Sequence, residues 1–203
     1  NIINLNLNES DCIAESFASH TISTVGIPIN RKEIEEESFL ENNLIYRISL
    51  KNIAGDNFSN DFNNVFKNTI KMLMTFIRKI KSKVDLDVIN IEGGGKHDKT
   101  PSYCFVDLVC KNEFENDLLD VFYLFESEYL TANLKIEPNL KFEIKKIDKL
   151  KFYPMTQESY NHIASFVELS LNGTFAVDSN TKTTISSSVL TKVRTSIKCC
   201  YDF

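Results

Sequence analysis

The side chains able to ligate a metal or activate a nucleophile are few: three histidines, His20, His97 and His162, and five cysteines, Cys12, Cys104, Cys110, Cys199 and Cys200. A dizinc centre needs several His and carboxylate ligands converging on two ions, with a further carboxylate to activate water. The histidines fall in three different predicted elements, none is followed by a ligand-type residue at i+2 or i+4, and no Cys-x-x-Cys pair occurs. Ser19-His20 lacks the third orienting group and the strained turn that make such a pair a nucleophile and its base. His162 reads as a surface residue near the start of a helix. The remaining candidate is the run Gly93, Gly94, Gly95, Lys96, His97, Asp98. Its backbone amides could form an anion nest, and His97 with Asp98 could meet a metal. The spacing of a phosphate-binding loop and the Ser/Thr after the lysine are absent, and no helix opens there. No catalytic residue, metal site or cofactor is therefore expected in this chain.

The elements that position this run follow from hydrophobic period. Three of the six glycines lie between an alternating apolar segment, 84–91, and a second one, 102–111, which predicts a tight strand-to-strand connection. Residues 45–50 alternate as a half-buried strand. Val65, Ile70, Leu73, Met74, Ile77 and Ile80 then make one helical stripe, with Asp61 as its cap, so that 61–81 is expected to be a single helix. Leu118, Leu119, Phe122, Phe125 and Tyr129 belong to a second helix, opened by Glu113, Glu115 and Asp117, and Leu140, Phe142, Ile144 and Ile147 to a last strand. The order βαββαβ predicts an α+β protein, a ferredoxin-like two-layer sandwich over 44–150. Ahead of it, 1–43 reads as leading extended pieces, among them 21–29, and a polar connector or short surface helix over 30–43 with too few apolar positions to anchor a core. Behind it, 151–203 reads as a partial second α+β unit. There a helix starts at Thr156 and stops at Asn172-Gly173, and extended pieces follow at 174–177, 184–190 and 193–199.

With 203 residues the chain can bury a real core, and its net charge of -5 argues against a phosphate-driven nucleic-acid binder. The densest basic run, 67–83, is spread through the periodic helix as a solvated face. No stretch approaches a membrane span and no signal-peptide pattern opens the chain. Asn1 in place of Met points to processing or a longer parent, which keeps a secreted product open. Asn8, Asn57 and Asn172 begin glycosylation-type triplets, as chance allows in an asparagine-rich chain. Cys104 and Cys110 sit at the same parity of one strand, too far apart to bridge, and reduced thiols favour a reducing, cytoplasmic compartment.

Several segments together resemble the lid, or dimerisation, domain of the aminoacyl-histidine dipeptidases, a branch of the dizinc M20-type metallopeptidases. Residues 3–6, Ile-Asn-Leu-Asn, stand where the family has Ile-Asn-Leu-Asp, whose Asp binds metal; Asn6 cannot supply that anionic bridge. Residues 52–59 stand where the family has Gly-Leu-Lys-Gly-Gly-His-Ser-Gly, with Asn57 replacing the histidine that reaches the partner subunit's active site. Residues 66–71 match Arg-Gly-Asn-Ala-Asn-Lys at Asn68 and Lys71. Residues 93–103 keep Gly93, Gly94, Lys96 and Pro101 of the family turn, while the substrate-contacting Arg becomes Ser102. Residues 137–142 and 171–173 are also similar to family segments.

The resemblance implies a degenerate lid without its catalytic domain, a non-catalytic structural or interaction protein acting as a homodimer or docked on a larger assembly. The alternative is a fragment of a longer zinc-dependent dipeptidase whose catalytic domain lies outside this chain. Phe58, Phe62 and Phe66, at spacing four, are the candidate contact row, and core packing against the sheet is the other reading of them. No nucleic acid and no membrane is expected as a partner.

Overall fold

Alternation of apolar and polar side chains builds the sheet, and a 3.6-residue apolar period builds the helices that cover it. The computed structural model describes residues 21–51, 68–95, 100–133, 135, 138–180 and 184–196. In chain order these form α1 (Glu36–Asn42), β1 (Asn43–Lys51), α2 (Thr69–Lys81), β2 (Leu86–Gly94), β3 (Cys104–Lys111), α3 (Glu115–Asn133), β4 (Lys141–Ile147), α4 (Gln157–Leu169), β5 (Gly173–Val177), β6 (Thr184–Ser188) and β7 (Lys192–Arg194). The result is a mixed α+β topology with two sheets. The larger runs β4-β1-β3-β2-β7, and β5 pairs with β6 in the other. Every pairing is antiparallel.

One face of the large sheet carries Tyr46, Ile48 and Leu50 of β1, Cys104, Val106, Leu108 and Cys110 of β3, and Phe142 of β4. Against it α2 lays Ile70, Leu73, Met74, Ile77 and Ile80, as its period requires, and also the fully buried Phe76. The Phe76 ring stacks on Phe142 at 4.6 Å between centroids and meets Phe122 and Tyr129 edge-on at 5.6 and 5.5 Å. A register shift between Val88 and Asn90 turns β2 by one residue, so Val88 and Ile91 both join this core while Ile89 points to the opposite face.

On that opposite face Ile45, Ile89 and Val109 form a second small cluster, covered by Phe39, Ile147, Leu150 and Phe152. Phe39 belongs to α1, so the polar segment 30–43 does contribute to a core, contrary to the sequence-based expectation. The segment is also tied down by its backbone, with Lys32 N donating to Pro154 O at 2.8 Å, Thr156 N to Asn30 O at 2.8 Å and Asn30 N to Ser159 Oγ at 2.9 Å. Polar side chains join in, Arg31 Nη1 donating to Ile89 O at 3.1 Å and Lys32 Nζ to Asp87 Oδ1 at 2.8 Å, so hydrogen bonds anchor what few apolar side chains could not. Residues 21–29 belong to no strand.

Four further expectations need correction. The cap of α2 is Asn68, because its backbone is extended and its side chain accepts from the first turn, so α2 begins at Thr69; Asp61 and Val65 lie outside the described residues. Helix α4 stops at Leu169 with Ser170 as its cap; Gly173, at φ 121°, instead opens β5. Gly93 and Gly94 are ladder residues of β2 and not a turn, paired with Cys104 on one side and with Val193 and Lys192 on the other. The strand expected over 184–190 ends at Ser188. Among the described residues no helix is long and apolar enough to cross a membrane.

Candidate functional site

Asn68, at the start of α2, is the hub of the segments singled out in the sequence. Its side chain is buried, and Oδ1 accepts from Ile70 N at 3.0 Å and Lys71 N at 3.3 Å. Nδ2 donates to Asn172 Oδ1 and to Leu190 O, both at 2.9 Å. The amide's donors are thus both used inside the protein. Next to it, Thr69 Oγ1 donates to the carbonyl of buried Pro101 at 3.0 Å. Lys71 Nζ donates to Glu168 O at 3.2 Å and to Ser170 O, so an ammonium closes the negative end of α4. Burial pushes the Lys71 pKa down.

The glycines complete this junction. A β-carbon on Gly93 would lie 2.7 Å from Cys104 Cβ and Sγ, and one on Gly94, whose φ is +88°, would lie 2.0 Å from Thr191 O. Gly95 has nothing within 4 Å of such an atom. Thr195 then locks β7 in place: its N donates to Ile91 O and its Oγ1 accepts from Ile91 N, each at 3.1 Å. The residues around Asn68, Pro101, Asn172 and Gly94 hold α2, α4, β2 and β7 together, and none of them offers a nucleophile or an acid–base pair. Asn68→Ala removes a helix cap and leaves the Leu190 carbonyl short of a donor. We expect a loss of about 2–3 kcal/mol, read as the shift in a urea midpoint at constant slope.

The face of the sheet away from α2 and α3 carries the charge. Arg47 Nε and Nη2 meet Asp107 Oδ1 and Oδ2 at 2.6 and 2.9 Å, a bidentate pair whose carboxylate is buried. Asn90 Nδ2 donates to the same carboxylate at 3.2 Å, and the Arg47 guanidinium lies 3.9 Å from the Phe105 ring centre. Each of Arg47 and Asp107 is the one charge in the middle of an otherwise apolar or hydroxyl stretch, 45–50 and 104–110, a signal visible in the sequence outside any catalytic motif. At the β4 edge Glu143 accepts from Lys51 Nζ at 2.6 Å and lies 3.0 and 3.4 Å from Lys141 Nζ and Lys145 Nζ.

Those ammonium groups, Lys51 foremost, hold the Glu143 pKa down at about 2. A carboxylate depressed on folding contributes stability above its ordinary pKa of 4.5, and loses it as pH falls through about 2. Amide protection of β4 should therefore decline between those two values. Glu143→Gln should flatten that dependence, as read by hydrogen exchange followed by mass spectrometry.

Phe58, Phe62, Phe66, Asn57, Lys96, His97, Asp98 and His20 lie outside the described residues. His162 and Ser102 are exposed. Cys104 and Cys110 are buried free thiols, and burial raises both pKa values, that of Cys110 to about 11, which keeps them protonated and unreactive near neutrality. Among the described residues no group of three or more His, Cys, Asp or Glu side chains could hold a metal ion.

No protein-family model matches this chain, and no curated protein matches its sequence. Its fold is similar to part of a solved structure, the aminoacylhistidine dipeptidase from Vibrio alginolyticus, with a TM-score of 0.67 at 16% identity over 81% of this chain and 34% of that one. The chain therefore spans about a third of the dipeptidase's length, and at this identity the likeness is one of fold. An amidase of the hydantoinase/carbamoylase family from Burkholderia phymatum gives a TM-score of 0.38 at 12% identity, covering 63% of this chain and 33% of the amidase. An aminobenzoyl-glutamate utilization protein from Klebsiella pneumoniae gives 0.36 at 8%, covering 60% and 32%.

Proposed function

We propose that this chain is a non-catalytic structural or interaction domain related to the lid of aminoacyl-histidine dipeptidases. In this reading 44–150 is a ferredoxin-like unit, 1–43 a leading segment, and 151–203 a partial second unit returning onto it. The observation that carries the proposal is the use made of the matched residues: Asn68, Lys71, Gly93, Gly94 and Pro101 are spent on internal hydrogen bonds and close packing. Of the residues that persist from the resemblance, the described ones hold elements of the fold together, and Lys96 lies outside them. The domain acts by association, as a homodimer or docked on a larger assembly, with Phe58, Phe62 and Phe66 as the proposed contact row. The buried free thiols Cys104 and Cys110 support a reducing, cytoplasmic setting.

The deciding experiment is zinc analysis of the purified chain together with a dipeptide hydrolysis assay in added zinc. We expect substoichiometric metal and no turnover; one bound zinc per chain with hydrolysis would overturn the proposal. The second reading, a segment of a longer zinc-dependent dipeptidase, is favoured by the match to about a third of the Vibrio enzyme. Recovery of the full reading frame separates the two, since flanking His-x-Asp and Glu-Glu segments would restore a catalytic domain.

A further inference from the structure

Helix α3 is written for burial on two sides and is covered on one. Apolar residues surround its axis, yet only Leu118 and Phe122 are buried, while Tyr123 and Leu124 are 57% and 58% exposed in mid-helix. By contrast α2, of similar apolar content, buries its apolar stripe completely. The Tyr123 ring is held in place edge-on to Phe122, with centroids 5.3 Å apart, so it stands ready at the surface. Half-buried Leu119 and Leu130 continue the Tyr123 side of the helix along an i, i+4 row and the turn beyond.

The charge on this helix selects what can cover it. Glu115, Asp117, Asp120, Glu126 and Glu128 lie on α3, which has no basic residue. Glu115 meets Tyr46 Oη and Lys146 Nζ, and the first-turn acids suit the helix dipole. Asp120, Glu126 and Glu128 have neither excuse: they lie beyond the first turn and make no ion pair with the described residues. Asp120 is one turn from both Tyr123 and Leu124, so the exposed apolar pair is ringed by negative charge. A second copy would bring two acidic helices together, and an anionic membrane or nucleic acid would be repelled.

We infer that the outward face of α3 is a docking surface for another protein that offers a basic amphipathic helix, its apolar stripe on Tyr123 and Leu124 and its lysines or arginines against Asp120 and Glu128. This rests on the proposed role as an interaction domain and names the surface and the chemistry of its partner. At 19 residues the helix is about 28 Å long, enough for five turns of a partner.

The test uses the full chain and a fluorescein-labelled leucine–lysine amphipathic peptide of about 18 residues, read by anisotropy. We expect saturable binding that the double substitution Tyr123→Ser, Leu124→Ser weakens about tenfold or more. Asp120→Asn with Glu128→Gln should weaken it at low salt, and a leucine–glutamate peptide should not bind. Leu169→Ser, at an apolar residue 79% exposed on α4, should leave binding intact. Because the substituted side chains are exposed, unchanged thermal melting verifies that each variant folds. Equal binding by the Tyr123/Leu124 variant, or equal binding of the acidic peptide, overturns the inference. So does self-association in sedimentation velocity that the double substitution abolishes, which would assign the face to a second copy. Zinc-dependent hydrolysis would overturn the functional proposal without changing any of these binding results.

Discussion

Phe76→Ala should destabilise the chain by about 3–5 kcal/mol, the range found when a large buried aromatic is truncated and the cavity only partly closes. Phe76 is fully buried and lies among Phe122, Phe125, Tyr129 and Phe142, at centroid distances from 4.6 to 6.4 Å. It therefore joins α2, α3 and β4, so its truncation opens a gap shared by three elements. Urea denaturation of the variant should show a lower midpoint with an unchanged slope, while exposed Tyr123→Ala should stay within about 0.5 kcal/mol of the parent. A cost for Phe76→Ala below about 1 kcal/mol would mean that the rings are not packed as described.

Gly94→Ala should be nearly as damaging, and its neighbour supplies the control. The added methyl would sit 2.0 Å from Thr191 O and 2.8 Å from Lys192 Cα, on a residue whose φ of +88° already disfavours a side chain. Backbone conformation alone costs about 1–2 kcal/mol and overpacking about 1–3 more. The obstructing atoms belong to backbone, so β7 must shift, and hydrogen exchange should show lost protection at Thr195 N, the amide that bonds to Ile91 O. Gly95→Ala, with open space around it, should be close to neutral. Equal tolerance at the two positions would contradict the described pairing of β2 with β7.

The apolar positions of 45–50 and 102–111, and the stripe from Ile70 to Ile80, made the central strands and the first long helix legible, because each lays a continuous apolar row on the main core. What the sequence concealed depends on distant partners. Three adjacent glycines look the same whether they bend a turn or allow another strand close approach, and the atoms that demand Gly94 come from residues 191 and 192. Asp61 and Asn68 are both good caps by type; only the bonds from Asn68 to Asn172 and Leu190 show why the helix begins where it does. The polar segment 30–43 reads as linkage because its side chains are polar, whereas polar side chains and backbone together anchor it, Arg31 Nη1 donating to Ile89 O at 3.1 Å and Lys32 N to Pro154 O at 2.8 Å. The Arg47–Asp107 pair was legible as two lone charges in apolar strands, but their register across β1 and β3 was needed to join them.

Strand β7 gives the large sheet an order of assembly. Its three residues close the edge of β2, and the bond from Thr195 to Ile91 spans 104 residues of sequence. The strands β1 to β4 and the helices α2 and α3 can pair while the tail is still absent, whereas β7 must pay the closure entropy of a long loop for a few hydrogen bonds. It is thus the natural last strand to dock and the first to open. During synthesis the edge of β2 near Gly93 stays uncovered until residues near 195 have been made. Refolding at high concentration should then lose material to edge-to-edge association in the interval before β7 arrives.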